Sequence, residues 1–246
     1  MIQVICPVCG AALAPQGAAW RCVQGHCFDV ARQGYVNLLT VTQKHSRHPG
    51  DTREMVAARR AFLDAGWYAP IAGALADLVR RFCPETASVL DAGCGEGYYL
   101  SQLGWVPERW GIDISRDAVR YAAVRDRSAH WLTATAAHLP FADGGFDCVL
   151  SMFALTAGAE FFRVLRPGGI FLIVNESDGE DPHANKWLSV IDGMRIFDGY
   201  QLARFLTEAG FSEVIVNRNA KKHWLCVLAI RENSSLLENE ELGGIS

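Results

Sequence analysis

Five metal-binding side chains crowd the first thirty residues of this chain. Cys6-Pro7-Val8-Cys9 is followed, twelve residues later, by Cys22-Val23-Gln24-Gly25-His26-Cys27. Thiolates and imidazoles in a closed set of four are the donor shell of structural zinc. The first pair stands directly before Gly10, so the chain can turn there and aim two thiolates at one ion. The second brings Cys22 together with either His26 or Cys27, and spacing leaves both open as the fourth ligand. A redox Cys-x-x-Cys requires a helix N-terminus after a strand, and nothing helical follows Cys9. The other cysteines (Cys83, Cys94, Cys148 and Cys226) stand alone among apolar or glycine-rich neighbours and read as small buried hydrophobes.

A second signature is Asp91-Ala92-Gly93-Cys94-Gly95-Glu96-Gly97, with Asp113 twenty residues past Gly93. Glycines at a strand-to-helix turn let the backbone lie against a ligand, and an acid at the tip of the next strand can accept both hydroxyls of a ribose. The spacing is Gly-x-Gly-x-Gly, not the dinucleotide Gly-x-Gly-x-x-Gly, and no Gly-Lys-Ser/Thr of a phosphate loop occurs. Glu176 and Asp178 follow an apolar run and are the candidates for proton transfer, although solvated carboxylates are the plainer reading. His45 and His48 read as members of a solvated loop.

These residues need a scaffold, and the apolar pattern supplies one. Ala18–Cys22 after the Pro15-Gln16-Gly17 turn suits a zinc-ribbon hairpin. A polar stretch, Thr42–Gly50, leads to a helix that Asp51 is expected to cap with Glu54 three residues on. Met55, Ala58 and Phe62 share its apolar face and Gly66 stops it. A second helix from about Tyr68 buries Ile71, Leu75, Leu78, Val79 and Phe82. From Ser88 onward short apolar runs alternate with helical stretches, the pattern of a parallel sheet covered on both faces. The strands fall at Ser88–Ala92, Trp110–Ile114, Phe146–Met152 and Ile170–Asn175, with a helix from the glycine turn through Leu103. Tyr200–Ala209 reads as a helix, Glu213–Arg218 and Trp224–Ile230 as a terminal hairpin, and the tail from Asn233 as disordered.

Composition narrows the class. Of 246 residues half are hydrophobic and a fifth charged, which excludes a disordered chain. No apolar run approaches the ~18–20 residues of a membrane span, and Pro7, Gly10 and two cysteines interrupt any leader, so a soluble cytoplasmic protein is expected. Net charge is -4, but residues 1–60 carry seven basic against three acidic side chains. A basic front on an acidic bulk allows one local surface to meet a polyanion.

The glycine motif, the second-strand acid, Phe146–Met152 and the turn Leu165-Arg166-Pro167-Gly168-Gly169 occur in an order that resembles class I S-adenosylmethionine (SAM)-dependent methyltransferases. The resemblance implies a Rossmann-like α/β fold, seven-stranded with the last strand antiparallel. It places Gly93, Gly95 and Gly97 under the methionine part of SAM with Asp91 near its ammonium. Asp113 would hold the ribose, Thr135 and Ala136 would border the adenine, and Ser151 to Ala154 would face the methyl group.

The front half narrows this further. Cys-x2-Cys-x12-Cys-x3-His, Gly34–Leu39, Pro49-Gly50-Asp51, Arg59–Gly66 and Asp91–Tyr99 together resemble the RlmA-type family of 23S ribosomal RNA guanine-N1 methyltransferases. That likeness implies a Zn2+ site on Cys6, Cys9, Cys22 and His26, and a division into a zinc domain (1–40), a linker and helical segment (41–85), a methyltransferase domain (86–232) and a tail (233–246). Lys44, Arg47, Arg53, Arg59 and Arg60 would grip RNA phosphates. After the fifth strand the match weakens: the C-terminal region is shorter, and Met152-Phe153-Ala154-Leu155 replaces the family's fourth-strand ending. A small-molecule methyltransferase using the zinc module as a lid or homodimer contact is therefore the alternative, and a SAM-binding regulator without turnover a second. No Asn/Asp-Pro-Pro-Tyr motif marks an exocyclic amine as target.

Overall fold

The computed structural model describes residues 2–43, 49–154, 157–176, 204, 206–219 and 224–231. Its first four strands, β1 (Val4–Ile5), β2 (Ala12–Gln16), β3 (Ala19–Cys22) and β4 (Cys27–Asp29), form an antiparallel sheet in the order β1-β2-β3-β4. The β2–β3 hairpin turns at Gly17, as the Pro-Gln-Gly sequence suggests. The chain then enters β5 (Val36–Asn37), a short helical turn at Val41–Gln43, and two helices, α1 (Arg53–Asp64) and α2 (Ala69–Phe82).

The alternating second half builds β6 (Ser88–Ala92), α3 (Tyr98–Ser101), β7 (Glu108–Asp113), α4 (Arg116–Arg125), β8 (His130–Thr133), β9 (Phe146–Met152), α5 (Gly158–Val164) and β10 (Leu165–Glu176). It closes with β11 (Phe211–Asn219) and β12 (Trp224–Arg231). The sheet order is β11-β12-β10-β9-β6-β7-β8-β5. Seven of these strands have the expected arrangement, with β12 antiparallel to both neighbours. The eighth is an addition: β5, from the N-terminal segment, pairs parallel to β8 through Val36↔Leu132 and Asn37↔Thr133.

Strand side chains alternate between faces, and the buried residues sort accordingly. Leu90, Ile112, Val149 and Phe171 point to the face covered by α5 and by the ribbon residues Ile2, Val4, Leu13 and Cys22. Val89, Cys148, Leu150 and Leu172 point to the other, under Ile71, Leu75 and Val79 of α2 and Val119 and Ala122 of α4. The ribbon thus takes the place of a covering helix. Its Trp20 meets Trp110 edge-on at 6.2 Å between ring centroids, and β1 is tied to the loop before β9 by Ile5 N donating to Pro140 O at 2.9 Å.

Several local expectations change. Thr52, not Asp51, caps α1, accepting from Met55 N, because the helix begins at Arg53, directly after it; Asp51 instead pairs with Arg59. Helix α1 buries Val56 and Leu63, while Ala58 is exposed and Met55 and Phe62 are half-buried. Tertiary contacts rotate the buried stripe by one residue. The helix after the glycine turn is a single turn ending at Ser101, short of Leu103. Phe82 is 41% exposed at the end of α2. Among residues of the Tyr200–Ala209 segment, 204 and 206–208 are helical. His45, His48, Asp178 and the tail from Asn233 lie outside the described residues.

Candidate active site and metal centre

The ribbon gathers its donors at one end. Cys6 and Cys9 lie on the knuckle after β1, closed by Gly10 N donating to Cys6 O, and Cys22 and His26 lie on the β3–β4 turn, closed by Gly25 N to Cys22 O. Cys9 Sγ and Cys22 Sγ are 3.7 Å apart, and His26 Nδ1 is 3.6 Å from Cys6 Sγ and 3.4 Å from Cys22 Sγ. A zinc tetrahedron with bonds of about 2.3 Å to sulfur and about 2.0–2.1 Å to nitrogen has edges of about 3.8 and about 3.5 Å. The observed edges match, so this donor set fits zinc. Cys27 is exposed on β4 and outside the group, whose ligand atoms all lie within 4.8 Å of one another. Desolvation pushes the Cys22 thiol up, but the Gln24 and His26 backbone N–H groups and the His26 ring outweigh it and bring it to about 6, which favours the thiolate a metal needs.

The second site forms at the C-terminal edge of the large sheet, where β6 and β7 end. Gly93, Gly95 and Gly97 all have left-handed φ, at 92°, 53° and 77°. Two positions show why glycine is needed. A Cβ on Gly93 would stand 2.4 Å from Ala154 Cβ, and one on Gly97 would stand 2.7 Å from the Trp131 ring. The turn is pinned to β7: Gly93 N and Cys94 N donate to Ile112 O, and Gly95 N donates to Asp113 Oδ2 at 2.9 Å. The other carboxylate oxygen of Asp113 accepts from Ser115 N at 2.7 Å. A carboxylate has about four acceptor positions, so Asp113 keeps capacity for ligand hydroxyls. Burial raises its pKa, opposed by the N–H of Ser115, the Arg59 guanidinium and the N–H of Gly95.

Asp91 lies under this turn, fully buried, and neither carboxylate oxygen has a partner among the described residues. Burial first, then the nearby Asp113 and Glu96 charges, push it up to about 8. An orphaned buried carboxylate calls for a cation or donor from a ligand, and the ammonium of SAM fits that need. Ser151 Oγ on β9 is likewise buried and unpartnered. Thr135 and Ala136 follow β8, half-buried, with Thr135 Oγ1 accepting from Ala137 N. Glu176 is the last residue of β10.

Two sets of contacts in the site were not read from the sequence, although the sequence singles out the residues that make them. Phe153, just past β9, has φ 54°, a left-handed conformation costly for a bulky residue. It stacks on Tyr68 at 5.2 Å and lies 6.2 Å from Tyr99, and Tyr68 meets Phe62 edge-on at 4.9 Å. An aromatic wall therefore flanks the Ser151–Ala154 segment, and only the fold assembles it. The other set belongs to Arg59. Its Nε donates to Glu96 at 2.9 Å and its Nη1 contacts Asp51. Arg59 is mostly buried against the glycine turn and cannot serve as a surface phosphate grip, which corrects the sequence expectation. Arg53 and Arg60 remain exposed beside Asp117 and Asp64, and Lys44 and Arg47 lie outside the described residues.

The strand order and this pocket are those of a class I SAM-dependent methyltransferase. Among solved structures of that fold, the chain is similar to the methyltransferase in a complex of the Haloferax volcanii Trm112 methyltransferase activator with a putative methyltransferase (TM-score 0.59, 20% identity, 75% of this chain and 100% of that one). It is similar also to a SAM-dependent methyltransferase, a possible histamine N-methyltransferase, of Thermotoga maritima (TM-score 0.56, 18%, 74% and 100%). Residues 4–47 match the family described as RlmA, N-terminal, and residues 90–173 the one described as Methyltransferase domain. A 23S rRNA (guanine(748)-N(1))-methyltransferase of Streptomyces fradiae is 38% identical over 199 residues, 78% of this chain and 69% of the relative. A putative 23S rRNA (guanine-N(1)-)-methyltransferase of Micromonospora griseorubida is 42% identical over 191 residues, 69% of this chain and 64% of the relative. The chain belongs to the 23S rRNA (guanine-N1-)-methyltransferase family with an RlmA-type zinc ribbon. It spans about two thirds of the length of these relatives.

Proposed function

We propose that this protein transfers a methyl group from SAM to N1 of a guanine in ribosomal RNA. The observation that carries the reading is the Asp91 carboxylate, buried without a partner beneath three left-handed glycines. That arrangement suits a ligand with an ammonium end, not one with a pyrophosphate. SAM supplies an electrophilic methyl on a sulfonium. In this reading Asp91 and the Gly93–Gly97 turn hold the methionine end, Asp113 the ribose hydroxyls, and Thr135 and Ala136 border the adenine. Ser151 to Ala154 and the aromatic wall behind Phe153 face the methyl group and exclude water. Much of the rate then comes from alignment of acceptor and donor. Guanine N1 must lose a proton, for which Glu176 and Asp178 are the candidates by sequence position. Cys6, Cys9, Cys22 and His26 hold zinc and keep the ribbon folded.

The family supports the ribosomal substrate, which would place the protein in the cytoplasm with the ribosome. No helix among the described residues is long and apolar enough to cross a membrane. The test is incubation with methyl-labelled SAM and ribosomal RNA from a strain lacking the modification, followed by mapping of the labelled base. Label at N1 of one guanine is expected. Label on a small molecule but none on RNA would replace this reading with the small-molecule methyltransferase, and donor binding without turnover on any acceptor would leave a regulator.

A further inference from the structure

Beside the ribose-facing edge of the site lies a concave cleft of about 740 Å³. Three parts of the chain wall it: the segment leaving the ribbon (Gln33, Tyr35, Asn37), the start of α1 (Thr52, Arg53), and the start of α4 (Arg116, Arg120). β5 makes this possible, because its pairing with β8 sets Asn37 opposite Thr133 and brings the ribbon's outgoing strand to the same sheet edge as Asp113.

The charge in this cleft is unbalanced. Asp51 is engaged by Arg59, and Asp117 faces Arg53 at 3.7 Å. Arg116 donates to the Tyr35 hydroxyl at 3.1 Å and also feels the charge of Asp117, but among the described residues neither Arg116 nor Arg120 forms an ion pair. Two helices of ten and twelve residues also start at the cleft, adding the partial positive charge of their N-termini. A further observation points to a ligand: Thr133, which lines the cleft, is 1% exposed, and its hydroxyl has no partner among the described residues.

Planar guanidinium forks match phosphate oxygens, while Gln33, Asn37, Thr52 and Thr133 suit ribose hydroxyls and base edges. The geometry points to this cleft as the groove that takes the phosphodiester backbone of the RNA substrate, with Arg116 and Arg120 as its phosphate contacts. The inference rests on the RNA reading above and gives the ribbon a second task. By feeding β5 into the sheet, it supplies one wall of the groove.

The experiment measures binding of a fluorescently labelled, unmodified ribosomal RNA hairpin across a salt series, for the wild type and for Arg116→Gln, Arg120→Gln and the double variant. SAM affinity by calorimetry reports on folding and on the donor pocket in every protein. The expected result is a loss of RNA affinity of about tenfold or more in the double variant. The log–log salt slope should become shallower by about 0.7–0.9 per arginine removed, with SAM affinity unchanged. RNA affinity within about twofold of the wild type together with an unchanged salt slope would overturn the cleft while leaving the RNA reading intact. A parallel fall in SAM affinity would also overturn it, assigning the cleft to the adenosine end of the donor. Wild-type protein that binds no RNA would remove the RNA reading itself, and this inference with it.

Discussion

Asp91 gains its meaning from what surrounds it. In water an aspartate ionises near pH 4, but burial beside Asp113 and Glu96 pushes this one up to about 8. An acid raised in this way holds its proton longer in the folded state than in the unfolded one. The free protein therefore loses stability as pH climbs from about 4 towards 8. A bound ammonium reverses that preference by stabilising the carboxylate. At pH 7 SAM binding is expected to expel a proton, and its affinity to rise as pH approaches 8. Calorimetry in two buffers of different ionisation heat measures this directly. Asp91→Asn should abolish the proton release and weaken binding by about tenfold or more. Equal heats in both buffers for the wild type would contradict the assignment.

At the scale of elements, the ribbon strands of two to five residues cannot stand alone. So small a sheet buries too little apolar area to order its chain, and the metal supplies the difference. Yet the ribbon is not an independent bead, because Ile2, Val4, Leu13 and Cys22 belong to the same apolar cluster as Leu90, Ile112 and Phe171. Chelation, or Cys22→Ser, should thus lower the melting temperature of the whole molecule and not merely loosen its front end. About one equivalent of zinc is expected by elemental analysis of protein purified without chelator. A metal-free preparation with an unchanged melting curve would sink the claim.

For the whole molecule, the decisive contact joins segments far apart in sequence. Arg59, on α1, meets Asp51 before that helix and Glu96 inside the glycine turn, thirty-seven residues away. Glu96 is almost completely buried, so without the guanidinium its charge would stand uncompensated in a low-dielectric site. Removing one partner of such a pair costs about 3–5 kcal/mol, a fall in melting temperature of roughly 6–20 °C for a chain of this size. Arg59→Met should show that fall and weaken SAM binding, whereas Arg59→Lys, keeping charge but not the fork, should lie between. Scanning calorimetry of the three proteins decides; a Met variant that melts with the wild type would show that the network positions nothing.

Local patterns sufficed for much of this protein. Metal-donor spacing, glycines that a turn demands and strands read as apolar runs are properties of a few neighbouring residues, so the zinc knuckles, the glycine turn, the Ser88–Ala92 strand and Asp113 were legible from the chain alone. Spacing alone did not choose His26 over Cys27 in the donor cluster, and only the family resemblance favoured it, because the choice depends on which side chain the β3–β4 turn points inward. The extra strand β5, the Phe153 wall and the Arg59 network arise from contacts between distant segments, and no local pattern encodes these. Even the cap of α1 fell to Thr52, one residue past the expected Asp51, because the residue at which the helix begins is not fixed by the capping pattern.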